Sequence, residues 1–172
     1  MPRLAAPVLV LMGVAGSGKS TVAAALAAQL GWPLQEGDDL HPAANVAKMS
    51  AGIPLTDEDR WPWLHAIAAW IDQRIGRGEP GIVTCSALKR AYRDLLRRDR
   101  VVFVHLAGER EAIAGRLRSR QGHYMPPGLL GSQFDALESL GPDEQGFEIG
   151  LAAAPAAQAA EIIRRLRIDA DA

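Results

Sequence analysis

The chain has 172 residues, of which 48% are hydrophobic and 23% are charged, a balance that predicts one globular domain spanning residues 1–172. Its formal net charge of −1 excludes a global electrostatic field that would attract nucleic acid or an anionic membrane. With a single cysteine, no membrane-length apolar stretch and no signal-peptide pattern, the sequence predicts a cytoplasmic protein without an intrachain disulfide or a membrane partner.

Short apolar runs alternate with helical patterns along the chain. Val8–Met12 predicts a buried strand, and the segment from Thr21 to Leu30 predicts the helix that follows it. Further strands are expected at residues 34–36, 82–85 and 101–106, with a weak last strand at 147–149. Further helices are expected at residues 42–49, 57–75, 92–98, 109–120, 129–140 and 156–168. Strands that alternate with helices predict an α/β fold, in which helices cover both faces of a parallel sheet.

The junction between the first strand and the first helix is a glycine-rich loop, residues 13–20, with the pattern G-x-x-x-x-G-K-[ST]. In this position the pattern predicts a phosphate-binding loop, because glycines let backbone N–H groups turn toward phosphate oxygens. Lys19 is predicted to reach the β- and γ-phosphates of ATP during catalysis, and the Ser20 hydroxyl to bind Mg²⁺. The predicted nucleotide-binding residues are Gly13, Val14, Ala15, Gly16, Ser17, Gly18, Lys19, Ser20 and Thr21.

Candidate substrate residues follow the second predicted strand. Because the carboxyl ends of parallel strands meet at one edge of a sheet, the loop after Glu36 should lie beside the phosphate-binding loop. Asp38 in this loop is a catalytic candidate that would accept the proton of a substrate hydroxyl or hold that hydroxyl, with N-capping of the next helix as the alternative. For His41 the sequence leaves open whether the ring binds the substrate or caps the turn.

Basic side chains further along the chain are candidates for binding an anionic substrate. The planar guanidinium of Arg60 suits a carboxylate or a phosphate, with a salt bridge inside its helix as the alternative. Lys89 and Arg93 follow the third predicted strand in a basic cluster, of which an anionic acceptor would use one or two members. The acidic residues 57–59, which precede Arg60, are predicted to stabilise the helix dipole.

Residues 116–130 are predicted to form a lid. Arg116 and Arg120 lie one helical turn apart at the end of a basic helix, which runs into a glycine-bounded loop. A closing lid excludes water and brings arginine to the transferring phosphoryl group, so both arginines are catalytic candidates, with a solvated helix end as the alternative. His123 in the same loop is a further candidate for substrate binding.

Four stretches, residues 12–20, 37–42, 85–90 and 132–138, occur together in this chain. In this combination they resemble the gluconokinases, small thermoresistant-type enzymes of the shikimate-kinase and nucleoside-monophosphate-kinase-like group. The resemblance covers about residues 8–138 and implies a three-layer P-loop NTPase fold with a five-stranded parallel sheet in the order 2-3-1-4-5 and a mobile lid. It also implies ATP-dependent phosphorylation of D-gluconate on its 6-hydroxyl, Mg²⁺ and a homodimer. By the same resemblance, Asp38 would hold the acceptor hydroxyl and Arg60 the substrate carboxylate.

Two other functions fit the same residues. One is a related kinase with another acceptor, such as shikimate, a different sugar acid or a nucleoside monophosphate, since the cleft chemistry would be unchanged. The other is a nucleotide-dependent switch without an acceptor. Such a switch would usually carry an Asn-Lys-x-Asp segment that recognises guanine, and the sequence has none.

Overall fold

A five-stranded parallel sheet lies at the centre of the molecule, with the strand order β2-β3-β1-β4-β5. The computed structural model describes residues 6–119 and 127–166, without the side chains of residues 116–119 and 127–130. The strands are β1 (Val8–Met12), β2 (Leu34–Glu36), β3 (Gly81–Thr84), β4 (Val101–Ala107) and β5 (Gly146–Gly150). The parallel pairing and the strand order implied by the resemblance are both confirmed.

Helices connect the strands and cover both faces of the sheet. They are α1 (Lys19–Leu30), α2 (Ala43–Ser50), α3 (Asp57–Gly76), α4 (Arg90–Leu96), α5 (Arg110–Ser119), α6 (Pro127–Ala136) and α7 (Pro155–Leu166). A 3₁₀ turn, Gly37–Leu40, joins β2 to the segment that leads into α2. Within the described part of the chain, no helix has the length and apolarity needed to cross a bilayer.

The hydrophobic core lies on both faces of β1, whose residues are all fully buried. On one face Leu9 belongs to a cluster with apolar residues of α1 and α7. On the other face Val10 belongs to a cluster with Trp63 of α3 and apolar residues of α4. Burial on both faces explains the unbroken apolar run of β1, because neither face of this strand meets water. The loop that follows β1 is therefore anchored on the most buried strand of the sheet.

Several predicted elements differ in extent from those in the structure, among them α6 and β5. The helix predicted at residues 129–140 is α6, which ends at Ala136. The backbone N–H of Glu138 donates to the carbonyl oxygen of Leu88 at 2.7 Å, so the chain leaves the helix to contact the loop after β3. The weak strand predicted at residues 147–149 is a full strand, β5, because it pairs with β4 at the edge of the sheet.

The loops after β1, β2 and β3 meet at the carboxyl edge of the sheet. The N–H of Gly13 donates to the carbonyl oxygen of Ser86 at 3.2 Å, and the N–H of Gly37 donates to Oγ1 of Thr84 at 3.1 Å. A Cβ at Gly37 would lie 1.9 Å from the Thr84 carbonyl oxygen, so only glycine permits this approach. The predicted convergence of these loops is confirmed, and it defines the cleft described next.

Candidate active site

The phosphate loop, residues 13–20, joins β1 to α1. Gly16 and Gly18 have left-handed φ angles of 81° and 94°, a conformation that favours glycine. No described side chain caps the N-terminus of α1, and its first backbone N–H groups have no acceptor inside the helix. Oγ of Ser17 is also buried and has no hydrogen-bond partner among the described residues. These donors fit the phosphate groups of ATP, to which the helix dipole adds a favourable charge.

Two side chains hold the phosphate loop in this conformation. Nζ of Lys19 donates to the carbonyl oxygens of Gly13 and Val14 at 2.9 and 3.0 Å. From α6, Oε1 of Gln133 accepts a hydrogen bond from the N–H of Ala15 at 2.7 Å. Lys19 therefore contacts the phosphate loop, and its contact with the phosphates stays a prediction. The contribution of Gln133 was not predicted, because nothing in the local sequence shows that α6 returns to this loop.

Ser20 and Glu36 form a second pair at the edge of the cleft. Oγ of Ser20 donates to Oε2 of Glu36 at 3.0 Å, and Oγ1 of Thr84 donates to the same oxygen at 2.7 Å. A hydroxyl beside a carboxylate is a set of hard oxygen ligands, which fits Mg²⁺. Glu36 was not among the predicted site residues. Its position at the last residue of β2, next to the loop of Asp38, was the available signal.

Asp38 and His41 lie together on the turn after β2. The carboxylate of Asp38 is 87% exposed, and its Oδ1 lies 3.9 Å from Nε2 of His41. The His41 ring stacks on Trp63, with 4.2 Å between the ring centroids and 12° between the planes. Burial is the largest cause of a lowered pKa at His41, so the ring is neutral at pH 7. The geometry thus combines an accessible carboxylate with a fixed neutral imidazole.

Asn45 determines which nitrogen of His41 carries the hydrogen. Nδ2 of Asn45 donates to the carbonyl oxygen of Asp59 at 2.8 Å, which fixes the orientation of the amide. The same Nδ2 lies 3.2 Å from Nδ1 of His41, so Nδ1 is the acceptor in this contact. The neutral ring therefore carries its hydrogen on Nε2, the nitrogen that faces Asp38. Asn45 is 3% exposed, and its contact with His41 was not predicted from the sequence.

Arg60 and Lys89 come together around Tyr92. Nη1 of Arg60 donates to the Tyr92 hydroxyl at 3.1 Å, and Nζ of Lys89 lies 3.1 Å from Oδ1 of Asp57. The Tyr92 hydroxyl in turn donates to Asp57. Arg60 contributes to the lowered pKa of His41, and Asn45 joins the start of α3 to the His41 ring by contacts with both. Asp57 therefore binds side chains of the cleft, a role beyond the predicted stabilisation of the helix dipole.

Arg93 has a different environment from its basic neighbours. Its exposed fraction is 1%, and its Nε and Nη2 donate to the carboxylate of Glu144 at 2.7 and 3.1 Å. Its Nη1 donates to the carbonyl oxygens of Ala87 and Leu88 at 2.9 and 3.2 Å. These bonds occupy the guanidinium, so the structure argues against the predicted substrate contact. Arg93 instead holds the loop before α4, in which Ala87 has a left-handed φ of 45°.

The predicted lid is described only in part. Arg116 lies in α5, and its side chain is outside the described atoms. Arg120 and His123 lie outside the described residues. Their roles stay predictions.

Comparison with known proteins decides the family. Residues 8–135 match the sequence profile of a family described as an AAA domain. A gluconokinase of Gluconobacter oxydans (strain 621H) is 47% identical over 163 residues, which cover 94% of this chain and 92% of that relative. The chain belongs to the gluconokinase family.

Solved structures agree with this membership. A gluconokinase from Sinorhizobium meliloti 1021 is similar with a TM-score of 0.83 and 43% identity, over 96% of this chain and 98% of that chain. A sugar kinase from Janibacter sp. HTCC2649 is similar with a TM-score of 0.89 and 47% identity, over 96% of both chains. This gluconokinase-family chain therefore has the fold of a P-loop kinase along nearly its whole length.

One buried residue shows how closely the site elements meet in this member of the gluconokinase family. Cys85 follows β3 and is 1% exposed, and burial raises the pKa of its thiol to about 12. Its N–H donates to the carbonyl oxygen of Leu11 in β1, and the neighbouring Thr84 bonds to Glu36. Cys85 therefore lies between the strands that lead into the phosphate loop and into the turn after β2. This environment makes Cys85 a core residue and not a nucleophile.

Proposed function

We propose that this chain is an ATP-dependent gluconokinase, which transfers the γ-phosphoryl group of ATP to the 6-hydroxyl of D-gluconate and yields 6-phospho-D-gluconate and ADP. The observation that supports it most directly is the exposed Asp38 carboxylate on the turn after Glu36. Glu36 itself accepts a hydrogen bond from Ser20 of the phosphate loop. Membership of the gluconokinase family supports gluconate as the acceptor.

The phosphate loop would bind the triphosphate. Its backbone N–H groups and the N-terminus of α1 supply hydrogen bonds and a favourable dipole for the phosphate oxygens. Nζ of Lys19, which contacts the loop carbonyls, would shift to the β- and γ-phosphates when these arrive. The loop would therefore hold the triphosphate at the edge of the sheet where the turn of Asp38 also lies.

Ser20 and Glu36 would hold Mg²⁺, directly or through water. When bound, Mg²⁺ neutralises charge on the β- and γ-phosphate oxygens. Thr84 fixes the Glu36 carboxylate, so the position of this ligand does not depend on the nucleotide. Such hydrogen-bonded support of a metal ligand raises metal affinity.

Asp38 would act on the acceptor hydroxyl. The C6 oxygen of gluconate forms a bond to the γ-phosphorus while the bond from that phosphorus to the β–γ bridging oxygen breaks. The hydroxyl proton passes to the Asp38 carboxylate, and the bond electrons leave with ADP. The hydrogen on Nε2 of His41 is available to orient Asp38 or the substrate.

Arg60 and Lys89 would bind the carboxylate at the other end of the substrate. Arg116 and Arg120 are proposed to contact the transferring phosphoryl group after the lid closes, and His123 to contact the substrate.

We also propose that the protein is cytoplasmic, because ATP is the phosphoryl donor. We propose a homodimer because the resemblance to gluconokinases implies one. Light scattering on the purified protein tests the dimer.

An acceptor panel tests the function. With ATP and Mg²⁺, ADP release is measured over D-gluconate, shikimate, other sugar acids and nucleoside monophosphates. D-gluconate is expected to give the highest kcat/KM. If D-gluconate gives no turnover while another acceptor reacts, the proposal is overturned.

Asp38→Asn is expected to abolish transfer and leave ATP affinity within about twofold, since Asp38 would touch only the acceptor. Asp39→Asn, the exposed neighbour, is the matched control.

A further inference from the structure

Asp57 is the centre of a fixed group of polar side chains at the acceptor end of the cleft. Its Oδ1 accepts from the Tyr92 hydroxyl and lies 3.1 Å from Nζ of Lys89 and 3.9 Å from Nη1 of Arg60. Tyr92 is 1% exposed and packs edge-on against Trp61, with 5.7 Å between the ring centroids. The aromatic packing holds this group in one arrangement, unlike an ordinary surface ion pair.

Capping of α3 does not account for this position of Asp57. The N-terminus of α3 is capped by Thr56 and Asp59, whose side chains each accept a hydrogen bond from the backbone of the other. Glu58 and Asp59 also supply negative charge to the first turn. Asp57 can therefore be directed toward the cleft without leaving the helix end unsatisfied.

The charges at this end of the cleft do not cancel. Arg60 and Lys89 contribute two positive charges and Asp57 contributes one negative charge, so one net positive charge is left for the acceptor. A single carboxylate balances that charge. Because Coulomb repulsion grows with the charge of the ligand, Asp57 repels a phosphate ester, with close to two negative charges at neutral pH, about twice as strongly as a carboxylate.

We propose that Asp57 sets the charge selectivity of the acceptor site, by reducing a doubly basic anchor to one that matches a monocarboxylate and disfavours a phosphate-bearing acceptor. This inference rests on the proposed function, because it takes Arg60 and Lys89 as the groups that bind the acceptor anion. It adds a residue that determines specificity by repulsion. Its hydrogen bond from Tyr92 and its contact with Lys89 hold the pKa of Asp57 below the usual range, so the carboxylate stays ionised.

A series of ligands that differ in charge tests the proposal. D-glucitol, D-gluconate and D-glucitol 1-phosphate share the polyol chain and its free 6-hydroxyl, and carry zero, one and nearly two negative charges at the other end. Dissociation constants are measured by titration calorimetry for the wild type, Asp57→Asn and Glu58→Gln. Asparagine keeps an oxygen acceptor for Tyr92, and Glu58→Gln makes the same charge change at an exposed neighbouring position.

In Asp57→Asn, the affinity for D-glucitol 1-phosphate relative to D-gluconate is expected to rise roughly five- to tenfold, as expected for removing one charge a few ångströms away in a partly exposed site. Glu58→Gln is expected to keep the wild-type ratio within about twofold. Asp57→Glu, which keeps the negative charge, should also keep the wild-type ratio of affinities. An unchanged ratio in Asp57→Asn overturns the inference, provided that thermal unfolding shows a folded variant.

If Asp57→Asn does not fold, Lys89→Gln supplies the complementary measurement. Removing one cation should leave no net charge on the anchor and reduce the preference for D-gluconate over D-glucitol by a similar factor. An unchanged preference in that variant contradicts the charge count. The proposed function fails separately, when the wild type neither binds nor phosphorylates D-gluconate.

Discussion

The N–H of Ala15 in the phosphate loop donates to Oε1 of Gln133 in α6 at 2.7 Å. The two residues are separated by 118 positions in the chain. Since α6 includes the end of the predicted lid, this contact joins the nucleotide-binding loop to the element expected to move when the substrate binds. Phe134 and Leu137 pack near the same loop in a cluster with Val14.

Replacing Gln133 is expected to weaken ATP binding. Gln133→Leu leaves the Ala15 N–H without this acceptor, a loss of about 1–2 kcal/mol, and the KM for ATP should rise about five- to thirtyfold. Gln133→Glu keeps an acceptor but adds a negative charge beside the phosphates, so its KM should rise further. Steady-state kinetics with varied ATP measures both, and a larger effect of leucine than of glutamate would contradict the assignment.

Ser20 and Glu36 are expected to control the dependence on Mg²⁺. Ser20→Ala and Glu36→Gln should each raise the Mg²⁺ concentration for half-maximal rate by about tenfold or more, because each removes a ligand or the group that supports it. Titration of the rate with Mg²⁺ at saturating ATP measures this, and nucleotide binding followed with and without Mg²⁺ gives a second readout. Asp39→Asn should keep the wild-type dependence. A uniform loss of rate with an unchanged Mg²⁺ midpoint would point to a structural role.

The buried ion pair of Arg93 and Glu144 is expected to support stability. Their side chains are 1% and 2% exposed, so Glu144→Ala leaves a buried guanidinium without its carboxylate. The free energy of unfolding should fall by about 3–5 kcal/mol. Arg97→Ala breaks a pair with Asp94 that is about 40% exposed, and should cost below about 1 kcal/mol. Urea unfolding measures the free energy of unfolding of both variants. Equal losses in the two variants would contradict a structural role for the buried pair.

Asp59 is expected to make the stability depend on pH in acid. Its hydrogen bond from Lys48, followed by that from the N–H of Thr56, holds its pKa at about 2, below the usual value. Because the folded pKa is the lower one, this contribution is complete above about pH 4 and is lost as the pH falls toward about 2. Asp59→Asn should therefore flatten the stability curve between those limits. Thermal melts across that range, with Glu58→Gln as the comparison, measure the difference.

Local chemistry explains most of what could be predicted. The glycine pattern of residues 13–20 is a property of consecutive residues, since φ freedom and amide positions are set within the loop. The N-cap of α3 is equally local, because Thr56 accepts a hydrogen bond from the N–H of Asp59, three residues later. The order of strands and helices followed from periodicity, while the end of α6 was wrong by four residues because Glu138 bonds to the distant Leu88.

The side chains missed or misjudged all depend on contacts between distant segments. Asn45 and Asp57 looked like ordinary helix residues, and only their contacts with His41, Lys89 and Tyr92 reveal their positions in the cleft. Arg93 was grouped with Lys89 because they are close in sequence. At the start of α4 the two side chains have different partners. Arg93 binds Glu144 in the interior, whereas Lys89 binds Asp57.

The sequence by itself determined the α/β fold, the nucleotide-binding loop and the edge of the sheet at which the chemistry takes place. These depend on backbone freedom and hydrophobic periodicity, which act over a few residues. Only the tertiary structure decided which carboxylates and cations face the cleft, because charges on separate elements acquire neighbours only after the sheet and its helices have packed. The partner of each ionic side chain is therefore known only from the tertiary structure.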